Sequence, residues 1–403
     1  MNYIKKNLFI EKVNATKIAA KYKTPIYCYS YNKLRKNISN LKSTFKSFKP
    51  LLCFSVKSNA NIEILKEIGK LDCGADVVSL GELSMALRAG IKPKKIVFSG
   101  IGKTSNEIKF AIEKKILLIN AESKSEILEI ERISKNKKKK VDVGIRLNPN
   151  TDAKTLKMIS TGKEENKFGV TENIFLELVD YVNNSQYLNL KCLSVHIGSQ
   201  ILDSRPYKKM LNVLKRVIKK SNHKFEYIDL GGGMGIQYNN EKKLNYNDYK
   251  REINFFLKNH KSKIIFEPGR SIIADTAVLI SKIIYIKKTK IKNFIILDAG
   301  MNDFMRPALY GAKHKIIPLI KNQKKLKKLV EFVGPICETT DRFLSIKGFQ
   351  NLAEKDLVAI CDVGAYGMSL ASNYNLRPKP IELLVKGNQM RVIKKKQKLS
   401  DIF

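Results

Sequence analysis

Four short segments carry residue types that could act together, each placed at or just past the end of an apolar run. Lys57 follows Phe54-Ser-Val, and His196 opens His196-Ile-Gly-Ser-Gln200. Asp229-Leu-Gly-Gly-Gly-Met-Gly235 brings three consecutive glycines, and Glu267-Pro-Gly-Arg270 sets a carboxylate beside an arginine. Alone, each has an ordinary reading as a solvated charge, a hydrogen-bonded core histidine or a tight turn. Together they are an amine nucleophile, a flat imidazole, a nest of backbone N–H groups for an anion, and an acid near a base. That set meets the demands of pyridoxal 5'-phosphate. Its aldehyde needs a lysine amine, which partial desolvation helps to be neutral. Its phosphate needs N–H groups with no Cβ in the way, as Gly231, Gly232 and Gly233 could supply. Its pyridine nitrogen needs a carboxylate to stay protonated.

Such residues must be brought together by the elements that carry them. From Lys33 onward, Val- and Ile-rich apolar runs alternate with amphipathic stretches such as Ile62–Leu71 and Glu82–Ala89. The runs are Leu51–Val56, Ala75–Ser79, Lys95–Ser99, Ile116–Asn120, Val141–Leu147, Lys191–His196, Phe225–Leu230 and Lys263–Glu267. Eight near-continuous apolar strands separated by helices predict a parallel (β/α)8 TIM barrel, with an open doubly wound sheet as the alternative. In such a barrel, active residues gather where the strands end, which is where the four segments fall. After about Asp275, runs at Ala277–Ile286, Phe294–Asp298, Leu329–Val333 and Leu357–Asp362 lack long helices between them and predict a mostly antiparallel β domain. The expected division is a pyridoxal-phosphate-binding barrel over 33–275. A sandwich- or barrel-like β domain over 276–403 would follow, with 1–32 contributing, since Ile26–Tyr29 also reads as a strand.

Composition limits the function classes. The chain has 403 residues, a formal net charge of +39 and no Trp. The excess is mostly lysine, 64 against 12 arginines, scattered over predicted helix faces. Nucleic-acid sites lean on arginine forks and aromatic platforms, so solvated surface explains the charge better than a binding groove. No apolar run is long enough to span a bilayer and no signal-peptide pattern opens the chain, so a cytoplasmic protein is expected. Six cysteines show no CxxC pair or zinc spacing, so no metal is expected. Four of them sit in apolar runs, whereas Cys337 falls in a loop-like Gly334-Pro-Ile-Cys-Glu338.

Read in order, these segments resemble the fold-type III pyridoxal-phosphate-dependent decarboxylases, and most closely those that act on diaminopimelate. The likeness runs through Phe54–Asn59, Gly74–Leu83, Asn166–Gly169, His196–Gln200, Gly231–Gly235 and Glu267–Arg270. It continues through Asp298–Asn302, Arg306-Pro-Ala-Leu-Tyr310, Gly334–Glu338, Gly364-Ala-Tyr-Gly367 and Ser372–Asn375. The resemblance implies a homodimer with shared active sites that converts meso-2,6-diaminopimelate to L-lysine and CO2, the last step of lysine biosynthesis, with CO2 leaving the D-configured carbon. It implies that Lys57 carries the cofactor and that His196 stacks on its ring. Gly231–Gly233, Ser199, Gly269 and Arg270 would hold the phosphate, and Glu267 would face the pyridine nitrogen. Arg270, Arg306 and Tyr310 would grip substrate carboxylates, with Tyr366 near cofactor and substrate. Cys337 would reprotonate Cα from the partner subunit, and Glu338 would recognise the far amino group. Ser55 and Ser58 stand where the family usually has Ala, Thr339-Thr340 where Ser-Gly is frequent, and Leu156 where His is common. An ornithine or arginine decarboxylase is the nearest rival, though its substrates lack the second carboxylate. A regulatory binding protein would have lost Lys57 or Cys337, and both are present. A polyanion binder rests on the charge alone.

Overall fold

The computed structural model describes residues 1–403, the side chain of Lys157 excepted. The chain forms two compact units, Ile38–Ile236 with Lys242–Ser271, and Met1–Asn37 with Gln237–Glu241 and Ile272–Phe403.

The first unit is a closed barrel of eight parallel strands: Leu51–Ser55, Gly74–Val77, Ile96–Phe98, Leu118–Ala121, Val141–Arg146, Leu188–Ser194, Tyr227–Asp229 and Lys263–Phe266. The last strand pairs with the first, Ile265 opposite Leu51, so no edge is left open. A helix lies between each successive pair of strands, and local chemistry starts several of them. Asn61, Ser79 and Ser123 each accept a hydrogen bond from the first turn of the helix that follows, and Thr104 with Glu107 forms a reciprocal capping box. Cys53, Val97, Leu118, Cys192 and Ile265 pack together as one apolar cluster of the barrel. Each expected strand is present, with ends shifted by at most three residues.

The second unit is a mostly antiparallel sheet. Its longest strand, Ala277–Lys288, pairs antiparallel with Lys292–Leu297, with Leu357–Cys361 and with Ile26–Ser30. Two pairings are parallel: Lys292–Leu297 with Leu329–Val333, and Ile26–Ser30 with Ile381–Lys386. Ile26, Cys28, Val278, Ile280, Ala359, Leu383 and Val385 form its core. Residues Gln237–Glu241, expected inside the barrel segment, group with this unit instead, because Tyr238 is buried against Arg306. No helix among the described residues is long and apolar enough to cross a membrane.

Candidate active site

The barrel collects seven strand-end groups at one mouth. Lys57 sits in the short 3-10 turn Val56–Ser58 that follows the first strand. Its Nζ lies 3.7 Å from Asp76 Oδ2, at the end of the second strand. The same Asp76 oxygen accepts a hydrogen bond from Ser55 Oγ at 2.7 Å, so one of the two serines flanking the lysine fixes the carboxylate beside it. The Lys57 side chain is 42% exposed with that carboxylate as its neighbour. The amine is therefore partly covered, as the short turn holds Lys57 at the mouth of the barrel.

Glu267 follows the last strand and is buried. Its Oε1 accepts from Ser99 Oγ at 3.1 Å. Burial, together with the charges of Asp229 and Asp76, raises its pKa well above the ordinary carboxylate value. Asp229, hydrogen-bonded to Glu267, is likewise raised by burial. Three carboxylates thus lie together at the same barrel end, an arrangement that favours a cation placed against Glu267. Asp229 also accepts from the Gly231 N–H at 3.0 Å and from Asn120 Nδ2 at 3.0 Å, which ties the acid cluster to the glycine turn.

His196 and the glycines form one unit. The Gly232 N–H donates to His196 Nδ1 at 3.1 Å, which makes that nitrogen an acceptor and leaves the proton on Nε2. Burial and the nearby Arg146 and Lys57 charges push the imidazole pKa well below its ordinary value, so the ring is neutral. Gly231 and Gly233 adopt left-handed backbone (φ +62° and +88°). A Cβ at Gly231 would meet His196 Nδ1 at 2.7 Å, at Gly232 the Glu267 carbonyl oxygen at 2.2 Å, and at Gly233 the Gly198 carbonyl oxygen at 2.3 Å. Only glycine fits this cradle. Ser199 Oγ accepts from Arg270 at 3.1 Å, and a Cβ on Gly269 would strike Ser58 Oγ at 2.9 Å. The group that fits here is a phosphorylated aromatic cation: backbone N–H groups and Arg270 for the anion, acids for the cation, a neutral flat ring, and an amine. Pyridoxal phosphate has that shape and charge.

The remaining expected residues lie in the second unit. Arg306 and Tyr310 begin and end one helical turn, which closes on Gly311 at φ +61°. Arg306 is buried, and its NH1 donates to Tyr238 Oη at 2.9 Å and to His314 Nε2 at 2.7 Å. Tyr366 holds a left-handed backbone (φ +55°), sparsely populated for an aromatic residue and a mark of a constrained site. Gly364 and Gly367 on either side leave no room for a Cβ, which would meet the carbonyl oxygens of Ile273 and Val363 at 2.0 and 2.4 Å. Cys337 is exposed in a loop organised by Asp341, which accepts from the Met301 and Ile336 N–H groups at 2.7 Å each. The Glu338 carboxylate accepts from Thr340 Oγ1 at 3.0 Å and from the Tyr374 hydroxyl. Thr340, a departure from the family pattern, therefore holds Glu338 rather than disturbing it.

Sequence reasoning missed several of these groups. Asp76, Asp229 and Tyr374 lay inside quoted motifs without a role. Tyr238 and His314 stood in no motif, and only the fold brings them to Arg306. Arg146 and Glu122 form a buried ion pair of 2.9 Å whose carboxylate also accepts from the N–H groups of Gly100 and Gly169. An arginine at the end of the fifth strand was the available signal.

The fold and site define a barrel suited to an aldehyde cofactor, and comparison with known proteins is specific. The family model for the pyridoxal binding domain of pyridoxal-dependent decarboxylases matches residues 31–274. Diaminopimelate decarboxylase of Helicobacter pylori is 43% identical over 386 residues, covering 95% of each chain. That of Aquifex aeolicus is 37% identical over 401 residues, covering 98% of this chain and 95% of its own. The crystal structure of the Helicobacter pylori diaminopimelate decarboxylase complexed with L-lysine superposes with a TM-score of 0.93 at 42% identity, over 96% of this chain and 98% of that one. The chain belongs to the pyridoxal-dependent decarboxylases, in their diaminopimelate decarboxylase branch.

Proposed function

We propose that this protein decarboxylates meso-2,6-diaminopimelate to L-lysine with pyridoxal 5'-phosphate held at the barrel mouth. The observation that carries the reading is the convergence, on one barrel end, of Lys57, the Glu267–Asp229–Asp76 cluster and a cradle only glycine can form. Full-length relatives named for this activity support it.

When bound, pyridoxal phosphate supplies an aldehyde for the substrate's amine and a ring that takes up the electron pair left behind by CO2. Lys57 Nζ would be the amine that holds the cofactor through its aldehyde. Glu267 would hold a proton at the pyridine nitrogen, and the negative charges of Asp229 and Asp76 would reinforce that hold. Neutral His196 would offer a flat ring to the cofactor without opposing its positive charge. Gly231–Gly233, Ser199, Gly269 and Arg270 bind the phosphate. Arg270, Arg306 and Tyr310 bind substrate carboxylates, and Tyr366 orients substrate and cofactor. Cys337 Sγ returns a proton to Cα, and Glu338 binds the far ammonium. These two act from the partner subunit of a homodimer, in the cytoplasm. The division into a barrel over 33–275 and a β domain over the rest belongs to the same reading.

The test is CO2 release by purified, cofactor-loaded enzyme offered meso-diaminopimelate, ornithine and arginine in parallel, with Lys57→Ala as control. Release from diaminopimelate alone is expected. Comparable release from either of the other two, or full activity in the control, refutes the reading.

A further inference from the structure

We propose that His314 is a positioning residue for Arg306: a neutral imidazole, locked as the Nδ1–H tautomer, that holds the guanidinium in the plane in which it meets a substrate carboxylate. The inference rests on the reading of Arg306 as a carboxylate-binding group.

The tautomer follows from the two contacts of the ring. Arg306 NH1 lies 2.7 Å from His314 Nε2, and a guanidinium has donors only, so Nε2 accepts and carries no proton. His314 Nδ1 lies 2.9 Å from the Cys361 carbonyl oxygen, which only accepts, so Nδ1 carries the proton. Neither the opposite tautomer nor the imidazolium satisfies both contacts. The ring is 1% exposed and is met near edge-on by Phe304 (centroids 4.6 Å, 85°) and by Tyr238 (4.9 Å, 66°), which opposes turning it over. Its carbonyl anchor ends the strand Leu357–Cys361, where Cys361 pairs with Val278 on the longest strand of the sheet. A rigid sheet carbonyl thus reaches Arg306 through one imidazole.

On the other side Tyr238 completes the clamp. Its hydroxyl accepts from the same NH1 at 2.9 Å, and its ring centroid lies 4.8 Å from Arg306 Cζ. An arginine on its long stem must surrender rotamer freedom to bind an anion in a fixed geometry, and a clamp removes that cost beforehand. The chemistry of the clamp matters as well. A carboxylate in place of His314 would hold the guanidinium equally firmly but would compete with the substrate for its charge. A neutral imidazole and a phenol orient the cation without cancelling it.

The experiment uses the cofactor-loaded enzyme with His314→Ala, His314→Gln and Arg306→Lys variants, and 15N-histidine NMR of the wild type. His314→Ala should raise KM for meso-diaminopimelate about ten- to a hundredfold, with kcat changed far less. His314→Gln, whose side-chain oxygen can replace Nε2 as acceptor, should recover most of that loss. With four histidines in the chain, the His314 resonance is assigned by its loss in the Gln variant, and it should show a protonated Nδ1 and a bare Nε2 at neutral pH. A proton on Nε2, or on both nitrogens, overturns the proposal. So does a folded His314→Ala enzyme with wild-type KM while Arg306→Lys raises it. If Arg306→Lys itself leaves KM unchanged, the carboxylate-binding reading of Arg306 falls and takes the positioning role with it, a result told apart by the variant in which it appears. Should the Ala variant fail to fold, the NMR signature and the Gln variant still decide.

Discussion

Replacing Asp229 by Asn removes one negative charge from behind Glu267 and keeps the shape of the side chain. Both carboxyls are buried and held above the ordinary carboxylate range, by burial and by mutual repulsion with Asp76. Two unit charges 4 Å apart repel by about 4 kcal/mol at an effective dielectric near 20. In the cofactor-free enzyme that repulsion is present whenever both are ionised. For a carboxyl whose folded pKa is raised, the folded state holds its proton more tightly than the unfolded one. Its stabilising effect is therefore complete at acid pH and is lost as pH climbs from the ordinary carboxylate range through the raised folded values. Asp229→Asn lacks the part of this loss that Asp229 carries, while burial and Asp76 still raise Glu267. Its new amide faces Asn120 Nδ2, a donor, but Asn120 Oδ1 is buried with no hydrogen-bond partner and can take over if the amide turns, at a cost of about 1 kcal/mol. Urea unfolding of cofactor-free protein should show the variant about 2 kcal/mol more stable than wild type at pH 8, an advantage that falls to less than about half of that at pH 5, inside the window in which the loss develops. With cofactor the order reverses: the acid cluster favours the pyridinium, so the variant should bind pyridoxal phosphate at least about tenfold more weakly, a change of about 1.4 kcal/mol. A variant that is equally or less stable than wild type at both pH values refutes the reasoning.

Two further outcomes test other parts of the site. If Cys337 serves the partner's site, Cys337→Ala and Lys57→Ala enzymes should each be nearly inactive, yet recover up to about a quarter of wild-type activity once subunits exchange, because random pairing leaves one intact site in half of the dimers; absence of recovery despite verified exchange excludes a shared site. Glu122→Gln leaves Arg146 buried without its anion and should cost about 3–5 kcal/mol in urea unfolding at pH 7, while a loss below about 1 kcal/mol would mean that the pair is not a structural tie.

The barrel was readable because its signals are local: short apolar runs, capped helices and strand ends that carry polar residues. The β unit was less so. Arg342–Ile346 and Gln389–Lys394 have exposed, charged faces and gain their strand character only from a neighbour, as Gln389–Lys394 does from Ile381–Lys386. The site divided in the same way. Lys57, His196, the glycines, Glu267 and Arg270 announce themselves by type and spacing. Asp229 did not, because a strand-end aspartate before a glycine turn is an ordinary cap, and its second role appears only when the barrel closes and sets it beside Glu267. His314 lay hidden for a related reason, since a lone histidine among lysines carries no periodic or motif signal.

The strand Ile26–Ser30 lies between Ala277–Lys288 and Ile381–Lys386, so the β unit is sewn from the two extremes of the chain. On a ribosome this sets an order of events. All eight barrel strands have been made by residue 266, but the last neighbour of Ile26–Ser30 is complete only at residue 386, roughly 120 residues later, about 6–24 s at 5–20 residues per second. Throughout that interval an apolar strand made before the barrel has no partner on that side, exposed to chaperones or to nascent copies on the same message. Growth temperature and translation speed should therefore govern the yield of native protein more strongly than barrel stability does, and slowing synthesis across residues 276–380 should lower it.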